Sequence, residues 1–110
     1  MSELAQMDFV AAERGEPPLK GNDLLRLLAK LGNDWQAIDE HHLEKTYQFG
    51  DFLSALTFTI KLGELAELLN HHPDICLGWG YTKVTIWTHE IGGLHQADFI
   101  FAAKADELAG

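Results

Sequence analysis

Two acids and three histidines in the second half of the chain have the types and spacing that proton transfer needs: Glu67, His71, His72, His89 and Asp98. Glu67 and His71 are four residues apart, so on a helix their side chains lie on one face. A neighbouring acid favours a protonated imidazole, and a position in the last turn of a helix does the same. His71 is therefore a candidate proton donor near neutral pH.

His89 is the candidate partner of His71 in acid–base chemistry. It stands at the end of a predicted strand, just before the loop that begins at Glu90. A sheet packed on the helix that ends at His71 would bring the two imidazoles to one cleft, and two titratable groups with different protonation states are what acid–base catalysis requires. The alternative is structural: His71 and His72 cap the carbonyl groups of a helix end, and Asp98 balances the dipole at a helix start.

The same side chains are also suitable metal ligands, so a zinc or iron site is a rival interpretation. No His-Glu-x-x-His or other tight ligand motif supports it, and adjacent histidines do not easily point at one ion, so no metal is predicted. Cys76, the only cysteine, lies in an apolar segment beside no obvious base, which argues against a nucleophilic role. The remaining histidines, His41, His42 and His95, have no partner pattern and are expected to be solvated.

The composition indicates one globular domain in a cytoplasmic, soluble protein. The chain has 110 residues, 46% of them hydrophobic, and a formal net charge of −9. This acidic balance argues against direct nucleic-acid or anionic-membrane partners, which are bound through basic patches, but leaves protein partners open. We see no secretory signal and no apolar run long enough to cross a membrane.

Hydrophobic periodicity predicts the order α-β-β-α-β-β-α. The predicted segments are 23–31, 35–38, 43–49, 52–71, 75–77, 81–89 and 95–108. Asn22 or Asp23 is the expected N-cap of the first helix, and Asp51 caps the long second helix. That helix must end near His71, because the residue before Pro73 avoids the α region.

This order predicts an α+β fold, in which a four-stranded antiparallel sheet is covered on one face by helices. The other face is half exposed unless a second subunit covers it. Residues 21–110 are expected to form the single domain. Residues 1–20 combine Gly15, Pro17 and Pro18 with charges and are expected to be a loosely ordered lead-in.

The spacing of the candidate residues resembles the signature of the pterin-4a-carbinolamine dehydratases, over residues 20–108. In this sequence the matching positions are Glu67, His71, His72, Pro73, Trp79, His89 and Asp98. Asn70 precedes the histidine pair, where some members carry Asp. Trp79 is expected either to offer a ring face to a flat pterin or to pack at the rim of the cleft.

The resemblance implies a hydro-lyase, 4a-hydroxytetrahydrobiopterin dehydratase, that converts 4a-hydroxytetrahydropterin to quinonoid dihydropterin. The product re-enters the cofactor cycle of aromatic amino acid hydroxylases. It also implies the fold described above, a dimer or tetramer, and no metal or organic cofactor. Because an animal member acts as a dimerisation cofactor of a homeodomain transcription factor, a non-catalytic regulatory protein of the same fold is the alternative.

Carried over by position, the resemblance makes His71, His72 and His89 catalytic, with Glu67 and Asp98 as supporting acids. Loss of water from C4a requires a proton on the departing hydroxyl and removal of a proton from ring nitrogen N5. One cationic and one neutral imidazole supply both steps. We expect His71 and His89 to be that pair, with Glu67 holding the orientation and charge of His71, while His72 binds the pterin or assists.

Overall fold

The computed structural model describes residues 3–109. Over that range the helices are α1 (Gly21–Leu31), α2 (Phe52–Leu69) and α3 (Gln96–Ala109), and the strands are β1 (Gln36–Ile38), β2 (His42–Gln48), β3 (Asp74–Gly78) and β4 (Tyr81–Ile86). Short 3-10 helices occupy Leu4–Gln6 and His89–Ile91. The last predicted strand was too long: β4 ends at Ile86, Thr88 is extended and forms an isolated bridge with Gly93, and His89 begins a 3-10 helix.

The four strands form one antiparallel sheet in the order β1-β2-β4-β3. Leu43 lies opposite Ile86 across β2 and β4, and Ile75 lies opposite Val84 across β3 and β4. Side chains alternate along a strand, so these four residues share one face, and that face packs against α2 and α3. The predicted α+β fold is confirmed.

The helix-free face of the sheet is polar. Glu44 lies opposite Thr85, and Thr46 lies opposite Lys83. The Lys83 Nζ is 3.6 Å from the Glu44 Oε2, an ion pair that joins the two central strands. This face is therefore suited to contact with water.

Helix α3 is the centre of the core, because it packs against α1, α2, β2 and the N-terminal 3-10 helix. Phe99 and Phe101 are 0% exposed. Leu4 and Ala5 are also buried, at 1% and 5% exposure, so part of the expected lead-in packs on α3. Residues 1 and 2 of that segment lie outside the described range.

Helix α1 does not begin as predicted. Its N-cap position is Lys20, which makes no side-chain capping bond, and neither Asn22 nor Asp23 caps the helix. The carboxylate of Glu40 instead accepts a hydrogen bond from the Gly21 amide at 2.8 Å. A side chain distant in sequence thus accepts the hydrogen bond of a helix-start amide that a local capping residue would otherwise accept.

The ends of α2 determine where the histidine pair lies. Asp51 caps the start as predicted, accepting a hydrogen bond from the Ser54 amide at 2.7 Å. The helix ends at Leu69, two residues earlier than predicted, because Asn70 adopts the left-handed conformation with φ 52° and ψ 46°. Asparagine tolerates this conformation better than most residues, and Pro73 prevents the helix from resuming.

Candidate active site

A cavity of about 190 Å³ opens where the chain leaves α2 and where it leaves β4. It is lined by Asn70, His71, His72, Trp87, His89 and Glu90. Asp74 at the start of β3 lies opposite Thr85 near the end of β4. The residues before β3 therefore run beside those after β4, which places all three candidate histidines around one cavity.

A buried carboxylate from α3 holds His71. The Nε2 of His71 lies 2.6 Å from Oδ1 of Asp98, a residue that is 0% exposed. The other oxygen, Oδ2, accepts hydrogen bonds from the Thr88 hydroxyl and from the His95 amide, both at 2.9 Å. When Asp98 accepts at both oxygens, Nε2 of His71 is the donor of the short contact and Nδ1 is the other ring nitrogen.

Glu67 does not hold His71, contrary to the sequence-based prediction. Its Oε2 lies 2.5 Å from Nε2 of His72 instead. The prediction assumed a helix that continues to His71, whereas the left-handed Asn70 removes His71 from helical register with Glu67. The Glu67 and His72 side chains are 79% and 54% exposed, so this pair contributes little to stability.

His95 was expected to be solvated, but its side chain is only 15% exposed. Its Nδ1 accepts a hydrogen bond from the Ala97 amide at 3.1 Å, while Asp98 accepts from the His95 amide, as in a capping box at the start of α3. Its Nε2 lies 2.9 Å from Oε2 of Glu16. The Glu13 amide, and secondarily His95, hold the pKa of Glu16 below its ordinary value.

Trp87 is the aromatic residue that lines the cavity. Its indole stacks on the imidazole of His89, with ring centroids 4.3 Å apart and planes 11° apart. His41 and His42, expected to be solvated, pack against the same indole with centroid distances of 5.1 and 5.9 Å. Trp79, the aromatic position of the sequence signature, lies between β3 and β4, is 71% exposed and is not among the cavity-lining residues.

Sequence reasoning missed Trp87, Thr88 and Phe9. Phe9 packs on the ring of His71 with a centroid distance of 5.3 Å, and Phe101 contacts that ring from α3 at 6.0 Å. Only Trp87 left a sequence signal, since it continues the alternation of Lys83 and Thr85 along β4. Phe9 lies too far from His71 along the chain for any spacing rule to connect them.

The described side chains place no cluster of three or more histidine, cysteine, aspartate or glutamate residues where it could hold a metal ion. His71 and His72 are neighbours in sequence, but their Nε2 atoms face different carboxylates. Over residues 3–109, none of the helices has the length and apolar character needed to cross a bilayer.

Comparison with known proteins identifies the family of the chain. Residues 17–108 match the family model described as pterin 4 alpha carbinolamine dehydratase. A protein of Rubrobacter xylanophilus is 52% identical over 108 residues, covering 98% of this chain and all of that protein (100%). A protein of Alkaliphilus metalliredigens is 42% identical over 107 residues, covering 97% of this chain and 96% of that protein. Both are named, provisionally, as pterin-4-alpha-carbinolamine dehydratases.

Two solved structures share the fold. The transcriptional coactivator/pterin dehydratase of Brucella melitensis has a TM-score of 0.78 and 29% identity, covering 84% of this chain and 98% of its own. A pterin dehydratase-like protein described as a RuBisCO assembly factor in the alpha-carboxysome has a TM-score of 0.63 and 28% identity, covering 73% and 94%. Since the family model matches most of the chain and the relatives match it along their length, this protein belongs to the pterin-4-alpha-carbinolamine dehydratase family.

Proposed function

We propose that this protein is a hydro-lyase that dehydrates 4a-hydroxytetrahydropterin to quinonoid dihydropterin. The observation that carries the proposal is that His71, His72 and His89 line the same cavity, where His71 is hydrogen-bonded to the buried Asp98. Membership of the dehydratase family supports the same reaction class. The reaction needs no oxidant or reductant. The C4a–O bond breaks, the departing hydroxyl takes up one proton to become water, and N5 loses a proton as the C4a–N5 double bond forms.

The geometry suggests a role for each imidazole. The hydrogen bond at Nε2 lets Asp98 orient the His71 ring, and we assign His71 delivery of a proton from Nδ1 to the departing hydroxyl. His89 is exposed, and among residues 3–109 the ion pairs of histidine do not include it, so we assign His89 acceptance of the N5 proton. His72, bonded to the solvent-exposed Glu67, is suited to bind the pterin or to assist.

The wider setting is also part of the proposal. In this proposal the protein acts in the cytoplasm, where its product returns to the cofactor cycle of aromatic amino acid hydroxylases. Assembly as a homo-oligomer is supported by apolar side chains on the solvent side of α2, where Leu53, Ile60 and Leu68 are 68%, 55% and 80% exposed. Light scattering of Leu53→Lys and Ile60→Lys variants tests the assembly, which both should weaken.

A purified-protein assay of carbinolamine dehydration tests the function directly. His71→Ala and His89→Ala should each lower kcat roughly 100-fold or more, which is the usual worth of a positioned acid or base. If the two act as a unit, the double variant loses less than the product of the single effects. Near-normal turnover in either single variant contradicts the assigned pair.

The second candidate is a binding or regulatory protein that retains the fold without the reaction. It is favoured by the solved relatives described as a transcriptional coactivator and as a RuBisCO assembly factor. The intact set of three histidines around one cavity favours the enzyme. A wild-type protein that folds normally but fails to dehydrate the carbinolamine would favour the second candidate.

A further inference from the structure

The three cavity histidines are held in different ways. Carboxylates bond to the Nε2 atoms of His71 and His72. His89 has no such side-chain partner among residues 3–109, and it lies in a short 3-10 helix beyond the end of β4. The described contact that fixes its ring plane is the parallel stack on Trp87, with 4.3 Å between centroids and 11° between planes.

Trp87 is itself supported from the opposite strand. Continuing the pairing of Leu43 with Ile86 by one residue places His42 beside Trp87. The Nδ1 atoms of His41 and His42 lie 3.0 Å apart, and the two rings meet edge to face at 82°. Four rings thus form an aromatic row, His41, His42, Trp87 and His89, that runs from the turn between β1 and β2 to the cavity.

We propose that Trp87 is the positioning residue of His89, an inference that rests on the proposed dehydration. Rotation about the last side-chain torsion of histidine is broad, so an imidazole without a hydrogen-bond partner samples many orientations. A parallel indole removes most of them, because other orientations lose the stacking contact. His89 therefore presents its ring nitrogens to the cavity in a narrow range of directions, which proton transfer requires.

A direct pterin-binding role for Trp87 is the competing interpretation, and the two differ in kinetics. His89 covers one face of the indole, so a pterin stacked on that face has to displace the imidazole. If Trp87 positions His89, its loss lowers kcat and leaves KM nearly unchanged. If Trp87 binds the pterin, its loss raises KM.

The kinetic test compares Trp87→Ala with Trp87→Phe and with Leu25→Ala. Leu25 is the control, since it is a 59% exposed apolar residue on α1 that does not line this cavity. Trp87→Ala should lower kcat about 10- to 100-fold, the effect of a misplaced catalytic group, with KM within about twofold of wild type. Trp87→Phe keeps an aromatic face and should recover most of the turnover, and Leu25→Ala should match wild type.

A second measurement separates this inference from the proposed function. The ring current of Trp87 should shift the imidazole protons of His89 upfield in the NMR spectrum. These shifts should return towards ordinary values in Trp87→Ala and stay in Leu25→Ala, whether or not the protein is a dehydratase. An inactive wild-type protein refutes the dehydration alone, whereas unchanged His89 shifts, or a rise in KM with unchanged kcat, overturn the positioning role. If Trp87→Ala does not fold, Trp87→Leu provides the same readings with the apolar bulk retained.

Discussion

Asp98→Asn tests whether the buried carboxylate controls the protonation of His71. Asp98 accepts three hydrogen bonds, from His71 at one oxygen and from Thr88 and His95 at the other. An amide of the same size has one accepting oxygen and one donating nitrogen. If the oxygen stays on Thr88 and His95, the amide nitrogen faces Nε2 of His71 and the proton must move to Nδ1.

The size of the effect follows from the bond that is lost. A buried hydrogen bond to a charged group contributes about 1.5–3 kcal/mol, so the free energy of unfolding should fall by that amount. For a domain of this size the melting temperature should fall by roughly 6–12 °C. Turnover should fall further, by about 100- to 10,000-fold, because His71 then has the wrong tautomer.

The assay combines the dehydration rate with long-range proton–nitrogen NMR of the His71 ring, which reports the tautomer. Glu67→Gln is the matched control, since it makes the same acid-to-amide change in the exposed pair with His72. It should leave the melting temperature and the His71 tautomer unchanged. Equal losses in both variants, or wild-type turnover in Asp98→Asn, would refute the reasoning.

Two further predictions concern residues outside the cavity. Burial first, and then the 2.5 Å hydrogen bond to Asp106 and its charge, raise the pKa of Tyr47 far above its ordinary value. The folded protein therefore keeps this proton above about pH 10, where the unfolded chain releases it, so the free energy of unfolding falls as pH rises through that range. Urea denaturation of Tyr47→Phe should show a flatter alkaline limb, and an unchanged slope contradicts the linkage. Phe9→Ala uncovers one side of the His71 ring and should lower kcat, whereas Val10→Ala, at a site 67% exposed, should match wild type.

Local patterns in the sequence were sufficient for the order of helices and strands. The alternation that begins at Leu43 and the helical repeat from Phe52 follow directly from which side chains face the core. The family signature identified the three histidines, and the antiparallel pairing of β3 with β4 explains why they meet.

Contacts within the site could not be predicted in the same way. The partner of His71 depends on the backbone conformation of Asn70. A helical Asn70 would place His71 beside Glu67, whereas the left-handed Asn70 accompanies the pairing of His71 with Asp98. His95 meets Glu16 far back in the chain, a contact that only the folded core creates. Rules based on residue spacing describe neighbours within one helix or strand and carry no information about contacts between elements distant in sequence.

The position of Asp98 within α3 has a consequence for heat inactivation. Many enzymes lose activity on warming before they unfold, because their catalytic groups lie on loosely held loops. Here the carboxylate that orients His71 belongs to the most buried helix, one residue before Phe99. The pairing of Asp98 with His71 should therefore persist until the core itself melts, so that the NMR signals of the His71 ring report global folding in this protein.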